Sequence, residues 1–334
     1  MISNTVAVGV DEGITGIAGA VAVGIGLVRV CNQWTVIDTV ENTIIVVIRI
    51  AGVANAIAVG IGLVEIPGQT TVVSRVLDTI MIGIDGIVAA IRKTIRVIVD
   101  SVVTARADVE LVGDGVAIRV YQGVTTIRDP IIIDIDIIVE ARADIDAIWH
   151  TVTVVVIVAD VAEAITVRVD LVGVRHQRTV VVDIKNYIIV IVDVTGVAFA
   201  VTVKVRLVCI ARHRTIIDDV QNVVTVDIVV TEVTDSITVR IGLAGIGDQQ
   251  TVVAGVENAV AIHIVVTDIA NAVAVKVRLI RVGHHRAVVR TVLKAVAVPV
   301  DIVVAGITET IVVGIGLAGV CLLYTSDAAD ECCG

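Results

Sequence analysis

The stretch VAVGIGLV at residues 21–28 recurs as IAVGIGLV at residues 57–64, 36 residues further along the chain. In both copies every second residue is aliphatic, and this period is typical of a β-strand that buries one face. A motif that returns at a fixed spacing indicates a fold built from repeated, mutually packed units. The sequence therefore predicts an all-β repeat protein.

Three columns of equivalent residues follow the 36-residue step. The first column is mostly leucine and gives the alignment Leu27, Leu63, Val99, Ile135, Leu171, Leu207, Leu243 and Leu279, with Leu317 two residues late. The second column contains Thr35, Thr71, Ala107, Ala143, Thr179, Thr215, Thr251 and Ala287. The third column is polar and contains Asn42, Asp78, Asp114, His150, Asn186, Asn222, Asn258 and Lys294. Their agreement predicts about eight units in a single domain over residues 1–320.

Each unit contains three alternating stretches, which in the first full unit are residues 21–30, 35–40 and 44–50. The polar pair Glu41 and Asn42 between the last two is typical of a turn. Three strands cannot bury their own apolar face, so neighbouring units must pack together. We expect a parallel β-solenoid with one unit per coil.

In this solenoid the side chains of Val23, Ile25 and Leu27 should point inward in every coil. A β-propeller with one three-stranded blade per repeat is the alternative, although propeller blades usually have four strands in a longer repeat.

Repeated charges pose a problem for a solenoid, because stacked coils place equivalent residues ~4.8 Å apart. Two columns would then be ladders of like charge, which is destabilising. One contains Arg168, Lys204, Arg240 and Lys276, and the other contains Arg106, Arg142, Arg178 and Arg214. No acidic column lies an obvious step away, so we expect the first ladder to point to solvent.

Three turns carry clustered basic residues, in VRHQR (174–178), ARHR (211–214) and GHHR (283–286). Stacked coils would join them into one ridge of His176, Arg178, Arg212, His213, Arg214, His284, His285 and Arg286. Clustered arginines suit phosphate and other anions, so the ridge is a candidate anion contact. The preferred interpretation is a solvated turn whose bases recur because the unit recurs.

The asparagines at 42, 186, 222 and 258 allow two interpretations. They could form an internal ladder of side-chain hydrogen bonds, or they could be turn residues, because asparagine is common where a turn opens a strand. The turn interpretation is preferred on sequence grounds.

Asp134 and Asp136 should lie on one face of a single strand. Two carboxylates at this spacing could bind a cation or take part in acid–base catalysis. Since no histidine or glycine-rich loop accompanies them, a solvated face is the preferred interpretation.

Composition narrows the function classes. The net charge of −10 argues against a nucleic-acid-binding protein. No charge-free run is long enough for a transmembrane helix, and the N-terminus lacks the basic region of a signal peptide. The five cysteines show no metal-binding spacing. We therefore expect no enzyme, metal site, cofactor or identifiable partner, and the sequence assigns no cellular location.

The end of the chain differs from the repeats. CLLYTSDAADE at residues 321–331 resembles a translation of the transposase-end adapter used in sequencing libraries, and all eleven residues agree in order. The resemblance implies that residues 321–334 are an unstructured artefactual tail.

The repeats invite a related interpretation. One coding of VAVGIGL is GTC GCC GTC GGC ATC GGC CTC, whose reverse complement encodes EADADGD. Residues 1–320 thus resemble the antisense translation of an Asp-rich repeat gene, of the kind found in calcium-binding surface proteins. No family follows from this resemblance.

Three functional interpretations remain open. The first is a spurious or antisense reading frame with no selected biochemical function. The second is a structural or adhesive surface repeat module, and the third is an anion-binding array through the Arg/His turns. The uncharged β-branched stretches 151–159 and 187–192 predict aggregation, and we expect self-association through strand edges. Solubility is therefore the property that separates the first interpretation from the second.

Overall fold

The computed structural model describes the repeats as strands separated by short gaps. The described residues are 2–12, 21–31, 36–50, 57–67, 72–86, 94–105, 109–122, 130–141, 145–161, 164–173, 180–197, 200–211, 216–233, 236–247, 252–269, 273–283, 288–302 and 311–321. Within these ranges the secondary structure consists of β-strands, and no helix is long and apolar enough to cross a membrane.

The strands form two sheets that differ in strand length. The short-strand sheet contains β2 (Val21–Cys31), β4 (Ile57–Pro67), β6 (Ile95–Ala105), β8 (Ile131–Ala141), β10 (Ile165–Gly173), β12 (Val201–Ala211), β14 (Ile237–Gly247), β16 (Val273–Gly283) and β19 (Ile311–Cys321). The long-strand sheet contains β1 (Ile2–Glu12), β3 (Val36–Ile50), β5 (Val72–Gly86), β7 (Val109–Gln122), β9 (Ile145–Val161), β11 (Val180–Val197), β13 (Ile216–Val233), β15 (Val252–Ile269), β17 (Val288–Ala297) and β18 (Val300–Ile302).

Each strand pairs in parallel with its equivalent in the next unit. The long-strand sheet runs from β1 through β3 and β5 to β17, and the short-strand sheet runs from β2 through β4 to β16 and β19. One unit therefore forms one coil with a strand in each sheet. The predicted all-β, parallel β-solenoid of 36-residue period is confirmed, and the propeller alternative does not describe this pairing.

The number of strands per unit was predicted wrongly. Residues 35–40 and 44–50 do not form separate strands, because β3 runs without interruption from Val36 to Ile50. The expected turn at Glu41 and Asn42 is instead the middle of that strand, and Asn42 is buried. Among the described residues each coil thus has two strands, one in each sheet, and the polar column lies in the interior.

The core lies between the two sheets and is almost entirely valine and isoleucine. On β3 the inward side chains of Ile44, Val46 and Ile48 are fully buried, and on β4 those of Val59 and Ile61 are buried to nearly the same extent. The inward orientation expected for Val23, Ile25 and Leu27 is confirmed, since these side chains are partly buried against the same core.

The predicted leucine column differs from the observed strand pairing in two coils. Leu63 pairs with Ser101 and not with Val99, and Ser101 pairs with Ile137 and not with Ile135. Strands β6 and β8 have moved by two residues relative to the 36-residue step. A two-residue shift preserves which side chains face inward, whereas a one-residue shift would reverse every face. The late Leu317 pairs directly with Leu279, so a longer connection restores the column.

The last long strand is interrupted by proline. Pro299 lies between β17 and β18, and its carbonyl oxygen accepts a hydrogen bond from the Ile264 backbone nitrogen at 3.3 Å. Its nitrogen cannot donate to the same neighbour. Both β17 and β18 nevertheless pair with β15.

The buried hydroxyl of Ser101 generates the first testable prediction. Ser101 is 2% exposed in a column of aliphatic residues, and its Oγ has no hydrogen-bond partner. We expect Ser101→Val to raise the free energy of unfolding by about 1–2 kcal/mol, because it removes an unsatisfied polar group and fills space. Urea denaturation would measure the change. Ser101→Thr is the matched control, since it has the shape of valine but keeps the hydroxyl. A valine variant no more stable than the threonine variant would contradict the prediction.

Candidate functional site

The predicted anion ridge lies outside the described residues. This applies to His176, Arg178, Arg212, His213, Arg214, His284, His285 and Arg286. The arginine turn column, the threonine column and residues 322–334 are also outside the described ranges. The candidate sites that the structure describes are therefore those on the strands.

Asp134 and Asp136 lie on the outer face of β8, opposite an arginine of β10. Arg168 Nε is 3.7 Å from Asp134 Oδ1, and Arg168 Nη2 is 3.9 Å from Asp136 Oδ1. The same guanidinium donates to Asp170 Oδ2, with Nε at 2.9 Å. Arg206 of β12 adds a contact of 3.4 Å from its Nε to Asp170 Oδ1. These residues form the Asp/Arg cluster.

The Asp/Arg cluster corrects the expectation that no acidic column accompanies the charge ladder. Asp100, Asp136 and Asp170 are aligned on β6, β8 and β10. Asp134 also pairs with Arg168, so the basic ladder has acidic neighbours at that end. The remaining members, Lys204, Arg240 and Lys276, pair in register and are exposed, as expected for a ladder that points to solvent. Solvent screening therefore reduces their mutual repulsion.

The electrostatics of the Asp/Arg cluster combine repulsion among its carboxylates with ion pairing to Arg168. Burial and the neighbouring Asp134 raise the pKa of both Asp100 and Asp136, and Arg168 partly opposes this for Asp136. The hydrogen bond and charge of Asp170 raise the pKa of Arg168. Within the described strands, no group of three or more His, Cys, Asp or Glu side chains is arranged to hold a metal ion. The predicted solvated face is thus a partly buried ion-pair network.

The polar column forms a second and more unusual feature, here called the buried polar row. It consists of Asn42, Asp78, Asp114, His150, Asn186, Asn222 and Asn258, and each side chain is at most 8% exposed. All seven lie in the interior of long strands and face inward. The turn interpretation of this column was wrong, because the asparagines point into the protein and not into solvent.

Hydrogen bonds along the row run in one direction. Asn186 Nδ2 donates to Asn222 Oδ1, and Asn222 Nδ2 donates to Asn258 Oδ1, both at 2.8 Å. Asn42 Nδ2 donates to Asp78 Oδ1 at the same distance. The amide of Asn222 therefore accepts from one coil and donates to the next. The internal ladder, which the sequence left as the second interpretation, is observed.

The centre of the row contains ionisable groups. His150 Nδ1 lies 2.9 Å from Asn186 Oδ1, so this nitrogen carries the proton and donates. His150 Nε2 is 3.6 Å from Asp114 Oδ2. Burial lowers the pKa of His150 to about 4, against a smaller opposing effect of the hydrogen bond with Asn186. The imidazole is therefore neutral at pH 7.

The row lies inside the core, so a solute could reach it only if the two sheets separated. From His150 Nδ1 to Asn258 its chemistry is that of fixed donors and acceptors that satisfy one another in a low-dielectric interior, whereas His150 Nε2 has no hydrogen-bond partner. Buried polar groups without partners are costly, so the ladder constrains which coils can stack and in what register. The sequence feature that indicates the row is the third column, in which a polar residue recurs every 36 residues at a position where the alternating pattern would place an aliphatic one.

Comparisons with known proteins add no relative. No protein-family model matches the chain, no curated protein matches it, and no solved structure matches it.

Replacing an asparagine of the ladder should destabilise the protein, even when the new residue has a higher β-strand propensity. We expect Asn222→Val to lower the free energy of unfolding by about 1–3 kcal/mol, because Asn186 and Asn258 would each lose a partner in the interior. Urea denaturation would measure this, with Thr225→Val as the control on the outer, half-buried face of the same strand. An Asn222→Val variant as stable as that control would show that the ladder bonds contribute nothing.

Acid should destabilise the protein partly through His150. Its pKa is about 4 in the folded protein and 6.5 as the reference value. Between these values the unfolded chain binds the proton more readily, so stability falls as the pH decreases from about 6.5 to about 4. The expected loss is on the order of 3 kcal/mol from this group. We expect His150→Asn to show a smaller loss between pH 7 and pH 5 in urea titrations. Equal losses in both proteins would refute the assignment to His150.

Proposed function

We propose that residues 1–320 have no selected biochemical activity and that their reading frame is the antisense of an Asp-rich repeat gene. The observation that carries the proposal is the V-x-V-x-I pattern of the strands, whose reverse complement reads as D-x-D-x-D. The tail adds that the frame was read from an assembled fragment, because CLLYTSDAADE at residues 321–331 resembles translated sequencing adapter through all eleven residues. Such a junction is expected when a frame continues from an assembled fragment into synthetic DNA.

The composition of the core supports the same proposal. Val, Ile and Leu have codons with T in the middle, and the reverse complements of those codons have A in the middle. The buried face of each strand would therefore read as acidic, amide or other polar residues on the opposite DNA strand. A protein of that kind would be an acidic repeat protein, whose alternating carboxylates suit calcium.

The buried polar row fits the antisense proposal as well. Asn, Asp and His codons have A in the middle, and their reverse complements encode Val, Ile or Met. The opposite strand would thus encode one aliphatic residue per unit at the position of Asn186, Asn222 and Asn258. On the opposite strand each acidic repeat would thus contain one apolar residue available for burial. In the present frame the same positions place polar residues inside an aliphatic core, which is less usual.

The nucleotide sequence and its transcripts test the proposal. We expect the opposite strand to contain a longer open frame with acidic 36-residue repeats, and strand-specific RNA sequencing to detect transcripts of that strand only. Transcripts and peptides of the present frame, with the opposite frame closed by stop codons, would refute the proposal.

The second candidate is a structural or adhesive surface repeat module. The directional hydrogen bonds from Asn186 to Asn258 favour it, because a satisfied interior ladder is what a stable solenoid requires. The third candidate, an anion-binding array, depends on the Arg/His turns outside the described residues.

Expression separates the first two candidates. We expect residues 1–320, produced alone, to accumulate in inclusion bodies, because the uncharged β-branched stretches 151–159 and 187–192 are exposed until the sheets form. The insoluble fraction and the thermal transition would be measured by gel electrophoresis and circular dichroism. A soluble monomer with a cooperative thermal transition would favour the structural module instead.

A further inference from the structure

The two ends of the described coil stack have different outermost strands. At one end these are β1 in the long-strand sheet and β2 in the short-strand sheet. At the other end they are β17 with β18, and β19. Each outermost strand presents backbone donors and acceptors that can pair with another chain.

At the β19 end of the described residues, the inward-facing side chains are half exposed. Val313 is 44% exposed and Ile315 is 48% exposed, although they pair with Val275 and Val277, which are buried. These two side chains continue the inward-facing columns of the preceding coils. Two large aliphatic groups on a strand edge, half in water, constitute an unfilled apolar contact surface.

The opposite end carries a matching strand. The pentapeptide VGIGL occurs at residues 23–27 in β2, at 59–63 in β4 and at 313–317 in β19. Within the molecule, β2 and β4 pair through these residues, Val23 with Val59 and Ile25 with Ile61. The edge strand β19 therefore offers the same partner sequence to β2 that β4 already offers. No charged residue occurs in β19 to oppose such pairing.

The order of strands also matches. Along the chain, short and long strands alternate from coil to coil, and the described stack ends on the short strand β19. A second copy presents the long-sheet strand β1 first and the short strand β2 next. Placed on the end of the first copy, it continues both ladders with the alternation intact.

We propose that copies of this chain assemble head to tail, with β19 of one copy paired in parallel with β2 of the next. Val313 and Ile315 would then lie opposite Val23 and Ile25 of the next copy, and β1 of that copy would pair with β17 and β18. The contact is heterologous, so it leaves a free end and produces linear filaments. The inference is independent of whether the reading frame was selected.

Charge placed inside the junction tests the proposal. Ile315→Lys blocks the β19 end and Ile25→Lys blocks the β2 end, because an inward-pointing charge on an edge strand opposes pairing. Full-length proteins would be refolded from denaturant by dilution and studied by sedimentation velocity. We expect the unsubstituted chain to form long assemblies and each variant alone to sediment as a single chain. An equimolar mixture should double the mass, since each variant retains the end that the other lacks.

The controls make each outcome decisive. Val312→Lys adds the same charge to the adjacent exposed residue on the outer face of β19, and we expect it to leave assembly unchanged. Val313→Lys and Val23→Lys repeat the test if either first variant fails to refold by circular dichroism. An unsubstituted chain that stays single, variants that aggregate like it, or a mixture that remains single-chain would each overturn the proposal.

Discussion

Parallel pairing places most described residues beside the residue 36 positions further along the chain, and the rest of the structure depends on this constraint. Each column must tolerate contact with itself at the ~4.8 Å strand spacing. Equivalent valines and isoleucines pack against each other, and each of Asn186 and Asn222 donates a hydrogen bond to the next asparagine. Equivalent cations can be stacked only on the outer face, where Lys204, Arg240 and Lys276 are exposed to solvent. Aspartates gather beside Arg168, which offsets their repulsion.

The buried polar row explains why the two sheets differ in register. In the short-strand sheet, β6 and β8 are displaced by two residues, because one aliphatic column packs as well as the next. In the long-strand sheet the polar residues stay aligned from Asn42 to Lys294, and β1 aligns Asn4 with Asn42 across 38 residues. Moving an asparagine against valine would leave its amide unsatisfied, so the row fixes register where apolar packing does not.

The sequence was sufficient to predict the fold class, the period and the inward face, because alternation and repetition depend only on residue type. It was not sufficient to predict where strands end. The sequence predicts a turn at Asn42, because a single sequence cannot show that equivalent amides bond to each other across coils. The displacement at Ser101 was missed for a related reason, since valine fits either alignment. The partners of Arg168 were missed because Asp170 lies two residues further along the same strand, and Asp134 reaches the column of Arg168 only through the two-residue displacement of β8.

Because the hydrogen bonds along the row run in one direction, the coils differ in whether they could be deleted without breaking the row. Removing one coil that carries Asn222 would bring Asn186 beside Asn258, and the donor–acceptor sequence would close again. Removing the coil that carries His150 would bring Asp114 beside Asn186, whose Oδ1 would lose the proton that His150 Nδ1 donates. Recombination between repeats, which changes copy number in such genes, would therefore be tolerated among the asparagine coils and rejected near the middle of the stack.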